Sequence, residues 1–331
     1  MNRRDTLLAL LALSAPAELF AADAKSSDKM RRLGVLMGYA ESDTEAQIRF
    51  KLFTERLAAL GWVEGRNLKI DLRWTASDVG RAEVFAKELV ALQPEVILSN
   101  TTPATAALQR ATRSIPIVFT VVSDPVGSGF VKSLSRPGGN ITGFINLEST
   151  LMEKWLQLLK ELAPRRTRAA VMYNPQTAPY ADYYLEPLKI AAPKIGVKTF
   201  TALVRSESDI ENVIKKLGAE PGSGLIAMTD SFVFVNRKSI IALAARHKVP
   251  AMYYVGNMVE EGGLISYGVD YHDLFRRAAT YVDRIFRGTK AADLPVEQPA
   301  KFELVINMKI AKALGLTVPP TILVRADKVI E

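Results

Sequence analysis

The sequence predicts an α/β protein built as two doubly wound, Rossmann-like lobes with parallel sheets. Three observations carry that expectation. From residue 30 onward, short apolar runs alternate with segments of helical period, the pattern of parallel strands covered by helices. Several runs are continuously apolar rather than alternating, as strands buried on both faces are, and Ile117-Val-Phe-Thr-Val-Val122 is the clearest. The chain of 331 residues is also long for one domain and comfortable as two.

The first strand reads Leu33-Gly-Val-Leu-Met37 and ends at Gly38-Tyr39. Ser42 or Asp43 caps a helix whose apolar face carries Ile48, Leu52, Phe53, Leu57 and Leu60, with Gly61 as its stop. Leu68, Ile70, Leu72 and Trp74 alternate with Lys69, Asp71 and Arg73, and this period of two marks a half-exposed edge strand. A helix over 81–92 leads into Val96-Ile-Leu98, which stops at Ser99-Asn100-Thr101-Thr102-Pro103. An alanine-rich helix precedes the run 117–122, which ends at Ser123-Asp124-Pro125. The stretch Arg136-Pro-Gly-Gly-Asn-Ile-Thr-Gly143 reads as a chain leaving one sheet for another.

A second series repeats the scheme. A helix over 152–162 precedes strand 169–173, which stops at Asn174-Pro175. A helix over 181–195, broken or bent by Pro187 and Pro193, is followed by strand 198–204 and a helix capped within Ser206-Glu-Ser-Asp209. Strand 224–228 ends at Thr229-Asp230-Ser231, helix 237–246 feeds strand 251–254, and strand 264–267 ends at Gly268. Helices over 274–287 and 306–314, with 302–305 between them, suit a tail that crosses between lobes again. The expected division is 30–145 with about 269–298 for the first lobe, and 146–268 with about 299–331 for the second.

Residues 1–22 read as an export signal. Arg3-Arg4 supplies the basic region, Leu7 to Leu13 a short apolar core, and Phe20-Ala21-Ala22 a cleavage zone. The apolar run is too short to span a bilayer. A twin-arginine route and an ordinary secretory route both fit, and either places the mature protein outside the cytoplasm.

Composition removes several classes of function. Net charge is +8, but the only tight basic cluster is Arg165-Arg166-Thr167-Arg168, so no nucleic-acid partner is expected. The absence of cysteine excludes disulfides, thiolate metal sites and thiol nucleophiles. Two histidines, His247 and His272, argue against an imidazole metal site. There is no P-loop, Gly-x-Ser-x-Gly elbow or zinc helix motif, and Gly127-Ser-Gly129 fails the dinucleotide pattern. The expectation is a protein without catalysis, cofactor or metal.

Ligands of open α/β sheets sit beyond the carboxyl ends of the strands. The residues there are Tyr39, Asn100, Thr101, Thr102, Ser123 and Asp124 in the first series, and Asn174, Thr229, Asp230, Tyr254 and Tyr267 in the second. Thr102-Pro103 reads as a helix cap followed by proline at the first helical position. Such a terminus either holds a carboxylate or phosphate or is simply closed by its own threonine. Asp124 and Asp230 either meet a ligand ammonium or act as turn aspartates. Tyr39, Tyr173, Tyr254 and Tyr267 offer aromatic surface near the crevice or fill core, while Tyr180, Tyr183 and Tyr184 read as packing or surface.

Five segments in this order resemble the TrpX-like family of periplasmic substrate-binding proteins of ABC importers. They are Leu60-Gly-Trp-Val-Glu-Gly-Arg-Asn67, Val122-Ser-Asp-Pro-Val-Gly127, Arg136 to Gly143, Tyr267-Gly268 with Asp270, and Ala311-Lys-Ala-Leu-Gly-Leu316 before Pro319-Pro320. The resemblance implies the type I periplasmic-binding-protein fold, with a three-segment hinge that closes on a small carboxylate-bearing ligand. That ligand would be an aromatic or branched amino acid, or an aromatic acid. It further implies a monomer in the periplasm whose partner is an ABC permease and ATPase complex. Carried onto this chain, Ser99 to Thr102 would hold the carboxylate, and Ser123-Asp124 and Thr229-Asp230 would line the rest. Ser99-Asn100 departs from the Ala-Thr or Gly-Thr common in the family. A ligand sensor acting on a signalling partner, or a two-lobed enzyme such as a glycosyltransferase, are the alternative functions for the same fold.

Overall fold

The two series of strands form two separate sheets. A computed structural model describes residues 30–146, 148, 150–299 and 301–331, so the expected export signal at 1–22 lies outside the described residues. The first sheet holds β1 (Arg31–Met37), β2 (Leu68–Trp74), β3 (Val96–Asn100), β4 (Ile117–Val122) and β5 (Ile141–Ile145) in the order β2-β1-β3-β4-β5, all parallel. β3, β4 and β5 are buried along their whole length, as their continuous apolar sequences require. β2, with its alternating sequence, lies at the edge.

The glycine-rich stretch before Gly143 thus ends in a fifth strand of the first sheet, not in an exit from it. Gly143 is needed there: its φ is +152°, and a Cβ would come within 2.1 Å of the Phe119 carbonyl oxygen on β4. The helices of this lobe are α1 (Thr44–Ala59), α2 (Val79–Ala91) and α3 (Thr102–Ala111). Asp43 and Asp78 cap α1 and α2 by accepting from Ala46 and Arg81 N–H groups.

The second lobe begins with α4 (Leu151–Leu162), β6 (Arg168–Tyr173), α5 (Ala181–Ile195) and β7 (Lys198–Leu203). It continues through α6 (Glu207–Ala219), β8 (Ser223–Ala227), α7 (Ser231–Val235), α8 (Arg237–Arg246), β9 (Ala251–Tyr253), α9 (Gly256–Glu260) and β10 (Ile265–Val269). α5 runs as one helix through Pro187 and Pro193 and stops at Gly196 in the left-handed region, so neither proline breaks it.

After β10 the chain returns to the first lobe. α10 (Tyr271–Phe286) packs on α1 and along β3, β4 and β5. Trp62 donates to Asp283 at 2.8 Å, the Phe144 and Tyr281 rings meet at 4.7 Å, and Arg277 pairs with Glu297. The chain then crosses back as β11 (Phe302–Asn307), α11 (Met308–Ala313), α12 (Pro320–Arg325) and β12 (Lys328–Ile330).

The second sheet has the order β12-β11-β10-β9-β8-β6-β7. It departs from the all-parallel expectation, because β11 pairs antiparallel to β10 with Phe302 opposite Val269. β10 ends at the cleft, the chain leaves from there for the first lobe, and it re-enters from the same side. A strand entering at that end must run back along its neighbour. The helix expected to start at Ile306 starts at Met308, because β11 continues to Asn307, whose side chain caps α11.

Candidate functional site

The carboxyl ends of the strands of both sheets face one narrow cleft, with room in it for little more than a water molecule. The first lobe contributes Tyr39 after β1, Thr101 to Pro103 after β3, Val121 within β4 and Asn146 after β5. The second lobe contributes Thr177 and Tyr180 after β6, Thr229 to Ser231 after β8 and Tyr254 after β9. Tyr271 stands where the chain crosses after β10.

On the first lobe the site is built largely from backbone. Thr101 has φ +81° and ψ +154°, and Val121 has φ +55°. These are outlying conformations for β-branched residues, of a kind that costs roughly 1–3 kcal/mol each and concentrates at functional sites. Thr101, not Thr102, is the residue flanking α3, and no side chain caps that helix. The Thr102 hydroxyl instead accepts from the Ser123 N–H at 3.3 Å. The first-turn N–H groups and positive dipole end of α3 therefore border the cleft without a capping side chain. Gly38 permits the close approach of β1 to this turn, because a Cβ there would lie 2.3 Å from the Thr101 hydroxyl oxygen and 2.9 Å from the Asn100 carbonyl oxygen.

On the second lobe the site is built from side chains. Asp230 caps α7 and is buried, accepting from the Thr177 hydroxyl at 2.5 Å, the Asn174 N–H at 2.9 Å and the Phe232 N–H at 3.1 Å. Burial raises its carboxyl to about 6 against the pull of those hydrogen bonds. Among the described residues no cationic side chain forms an ion pair with it, so the site has the sign to accept a positively charged ligand group.

Four tyrosines enclose the space, and their hydroxyls are engaged by the protein. Tyr180 donates to the Thr229 carbonyl at 2.7 Å, and Tyr254 to the Asp230 carbonyl at 3.4 Å. Tyr271 accepts from the Asn146 amide at 2.9 Å and shares a proton with the Thr229 hydroxyl at 3.2 Å. The Tyr39 hydroxyl accepts from Arg49 at 3.5 Å. Burial raises all four phenols, so each is neutral and offers a ring to the cleft.

Of the eleven residues singled out from the sequence, Tyr39, Thr101, Thr102, Thr229, Asp230 and Tyr254 share this cleft. Asn100 and Ser123 stand one layer behind it. The Asn100 amide accepts from the Gly38 N–H and donates to Thr120, while the Ser123 hydroxyl donates to Asn146 at 3.1 Å. Asn174 holds the turn beneath Asp230, donating to it and accepting from the Gln176 N–H. Asp124 lies outside the cleft, where it accepts from the Gly127 N–H and borders two solvent-open recesses.

Tyr267 is not at the cleft. It lies within β10, stacked on Phe302 at 5.7 Å, because the strand runs two residues past the end expected at Tyr267. Tyr271 takes the place expected for it. Tyr180 corrects a second expectation, since it walls the cleft rather than packing elsewhere, whereas Tyr184 is buried and Tyr183 exposed. Asn146 and Val121 carry no sequence signal, because the glycine in β5 masks that strand and backbone strain leaves no mark in composition. Thr177 and Tyr180 follow Asn174-Pro175 in a strand-end loop, a signal that was available.

Two α/β lobes with a buried polar and aromatic cleft between their strand ends have the architecture of solute-binding proteins. The chain belongs to the ABC transporter substrate binding protein family, whose model matches residues 41–330. It is similar to a tyrosine-binding protein of Clostridioides difficile (strain R20291), 29% identical over 266 residues that make up 80% of this chain and 76% of the relative. Among solved structures it is similar to an ABC domain in complex with L-Trp from Streptococcus pneumonia, with 27% identity, coverage of 91% and 99% of the two chains, and a TM-score of 0.83. It is also similar to a ligand-free, open substrate binding protein with adhesive properties from Clostridium difficile, with 27% identity, the same coverage and a TM-score of 0.66.

Proposed function

We propose that this chain is the periplasmic solute-binding component of an ABC importer and that it closes on an aromatic α-amino acid, tryptophan or tyrosine. The observation that carries this reading is the cleft's composition. An uncapped helix terminus and a buried, unpaired carboxylate border one small space walled by tyrosine rings. The ligand carboxylate would meet the start of α3 at Thr101 and Thr102, its ammonium would meet Asp230, and its ring would lie on the tyrosine faces.

The two solved relatives support hinge closure. This chain superposes better on the L-Trp complex than on the ligand-free, open structure, although identity and coverage match. That difference supports a closed arrangement of the two lobes. In this reading residues 1–22 export the protein, residues 30–145 with 269–298 and 146–268 with 299–331 are the moving bodies, and the permease and ATPase complex receives the closed monomer.

Calorimetric titration with L-tryptophan, L-tyrosine, L-leucine and indole-3-propionate tests the reading. Tight binding of an aromatic amino acid, weaker binding of leucine, and loss of binding for the acid lacking an ammonium are expected. Equal affinity for indole-3-propionate and tryptophan would remove Asp230 from its role and with it the amino-acid assignment.

A further inference from the structure

Beside the cleft, charged and aromatic side chains from the two lobes interlock without lining the ligand space. Arg237 on α8 is buried and binds Asp43 of the first lobe at 2.5 Å and Glu261 of its own lobe at 2.9 Å. Its guanidinium also lies 4.2 Å from the centre of the Phe234 ring. Arg49 on α1 is fully buried and approaches the same ring from the first lobe, at 4.7 Å, while donating to Asn257 of the second lobe at 3.3 Å. One phenylalanine of the second lobe is thus clasped by an arginine from each lobe.

The clasp is tied to the cleft wall and to the crossing between lobes. Arg49 lies 5.6 Å from the Tyr39 ring and 4.9 Å from the Tyr271 ring, both of which face the ligand space. Glu45 joins Arg49 at 3.0 Å to His272 at 2.8 Å, on the first turn of α10. At the cleft itself, the hydroxyl of Ser77 meets that of Ser231, which borders the ligand space, at 2.7 Å across the lobes.

We propose that this seam, centred on Asp43–Arg237 and on the Arg49–Phe234–Arg237 stack, is a closure latch that sets the closed population and so the ligand affinity. The proposal rests on the hinge-closure reading above. These contacts join residues of different lobes, so lobe separation must break them, and none of Asp43, Arg49 or Arg237 borders the ligand space. Apparent affinity scales with the fraction of molecules in the binding-competent state. Weakening the seam should therefore weaken binding without altering a ligand contact.

Asp43→Asn is the selective test. Asparagine can keep the cap of α1, and Arg237 keeps Glu261, so the change removes one cross-lobe charge and leaves no arginine unpaired. The chain has no cysteine, so Lys87→Cys on α2 and Lys215→Cys on α6 accept spin labels cleanly, one on each lobe. Loss of the pair should lower L-tryptophan or L-tyrosine affinity about tenfold and shift the ligand-free label distances toward the open form. Ser77→Ala should shift both in the same direction by less. An unchanged affinity, or an unchanged ligand-free distance distribution, overturns the latch. If the unmodified chain binds neither amino acid, the function proposed above fails, while the ligand-free distances still decide the latch.

Discussion

The two faces of the cleft are built from different materials. The first lobe presents main chain: strained Thr101 and Val121, and a helix terminus that no side chain closes. The second presents side chains: the buried carboxylate of Asp230 held by Thr177, with Tyr180 and Tyr254 around it. Backbone groups can meet the carboxylate common to all α-amino acids, whereas side chains are free to set charge and ring preference. Substitutions should therefore be felt very differently on the two faces.

The largest expected effect is on the second lobe. Asp230→Asn keeps the α7 cap but removes the charge, and should cost about 2–4 kcal/mol of binding to an ammonium-bearing ligand. A calorimetric titration that found wild-type affinity would erase the contrast between the faces. Next comes Tyr180. Tyr180→Ala removes a ring from the cleft and should weaken binding by roughly 1 kcal/mol or more. Tyr180→Phe loses the hydroxyl's bonds to the Thr229 carbonyl and to Ser123 and should cost about 1 kcal/mol of stability with near-normal binding, read by thermal melting beside titration.

The pH dependence is of similar size and its sign is set by Asp230. Its carboxyl is raised from 3.8 to about 6 on folding, so the folded protein binds more protons than the unfolded chain between those values. Ligand-free stability from this group is present below the lower value and is lost as pH rises through about 6. Ammonium binding needs the ionised form, so affinity should rise with pH over the same range and be roughly tenfold weaker at pH 5 than at pH 7. Titrations at both values check this, and Asp230→Asn should abolish the difference.

The smallest effect should come from Thr101→Gly. Glycine adopts the observed conformation without penalty, so up to about 1 kcal/mol of stability is expected, with binding changed only a few-fold. A large loss of affinity on this change would mean that the threonine side chain, rather than the backbone, serves the ligand.

Much of the architecture was legible in the chain. The continuous apolar runs at Val96 and Ile117 became central buried strands, and the alternating run at Leu68 became an edge. The polar residues at strand ends were legible too, but their sharing of one cleft was not. Tyr267 and Tyr271 show why: a strand two residues longer than its pattern suggested moved the cleft position to the next tyrosine. Gly143 hid a strand, since a glycine that lets two backbones meet looks the same in sequence as one that breaks a run.

The sequence by itself determined the βα alternation, the buried and edge strands, a helix cap at Ser42 or Asp43 and another within 206–209, and the exclusion of thiol chemistry. These follow from local periodicity and from what each side chain can do alone. Only the tertiary structure decided that β11 runs antiparallel, that Tyr180 and Tyr271 face Asp230's cleft, and that Arg49 and Arg237 clasp one phenylalanine between lobes. Those outcomes depend on closing loops of many residues between separate sheets, and a spacing along the chain does not specify which surfaces then meet.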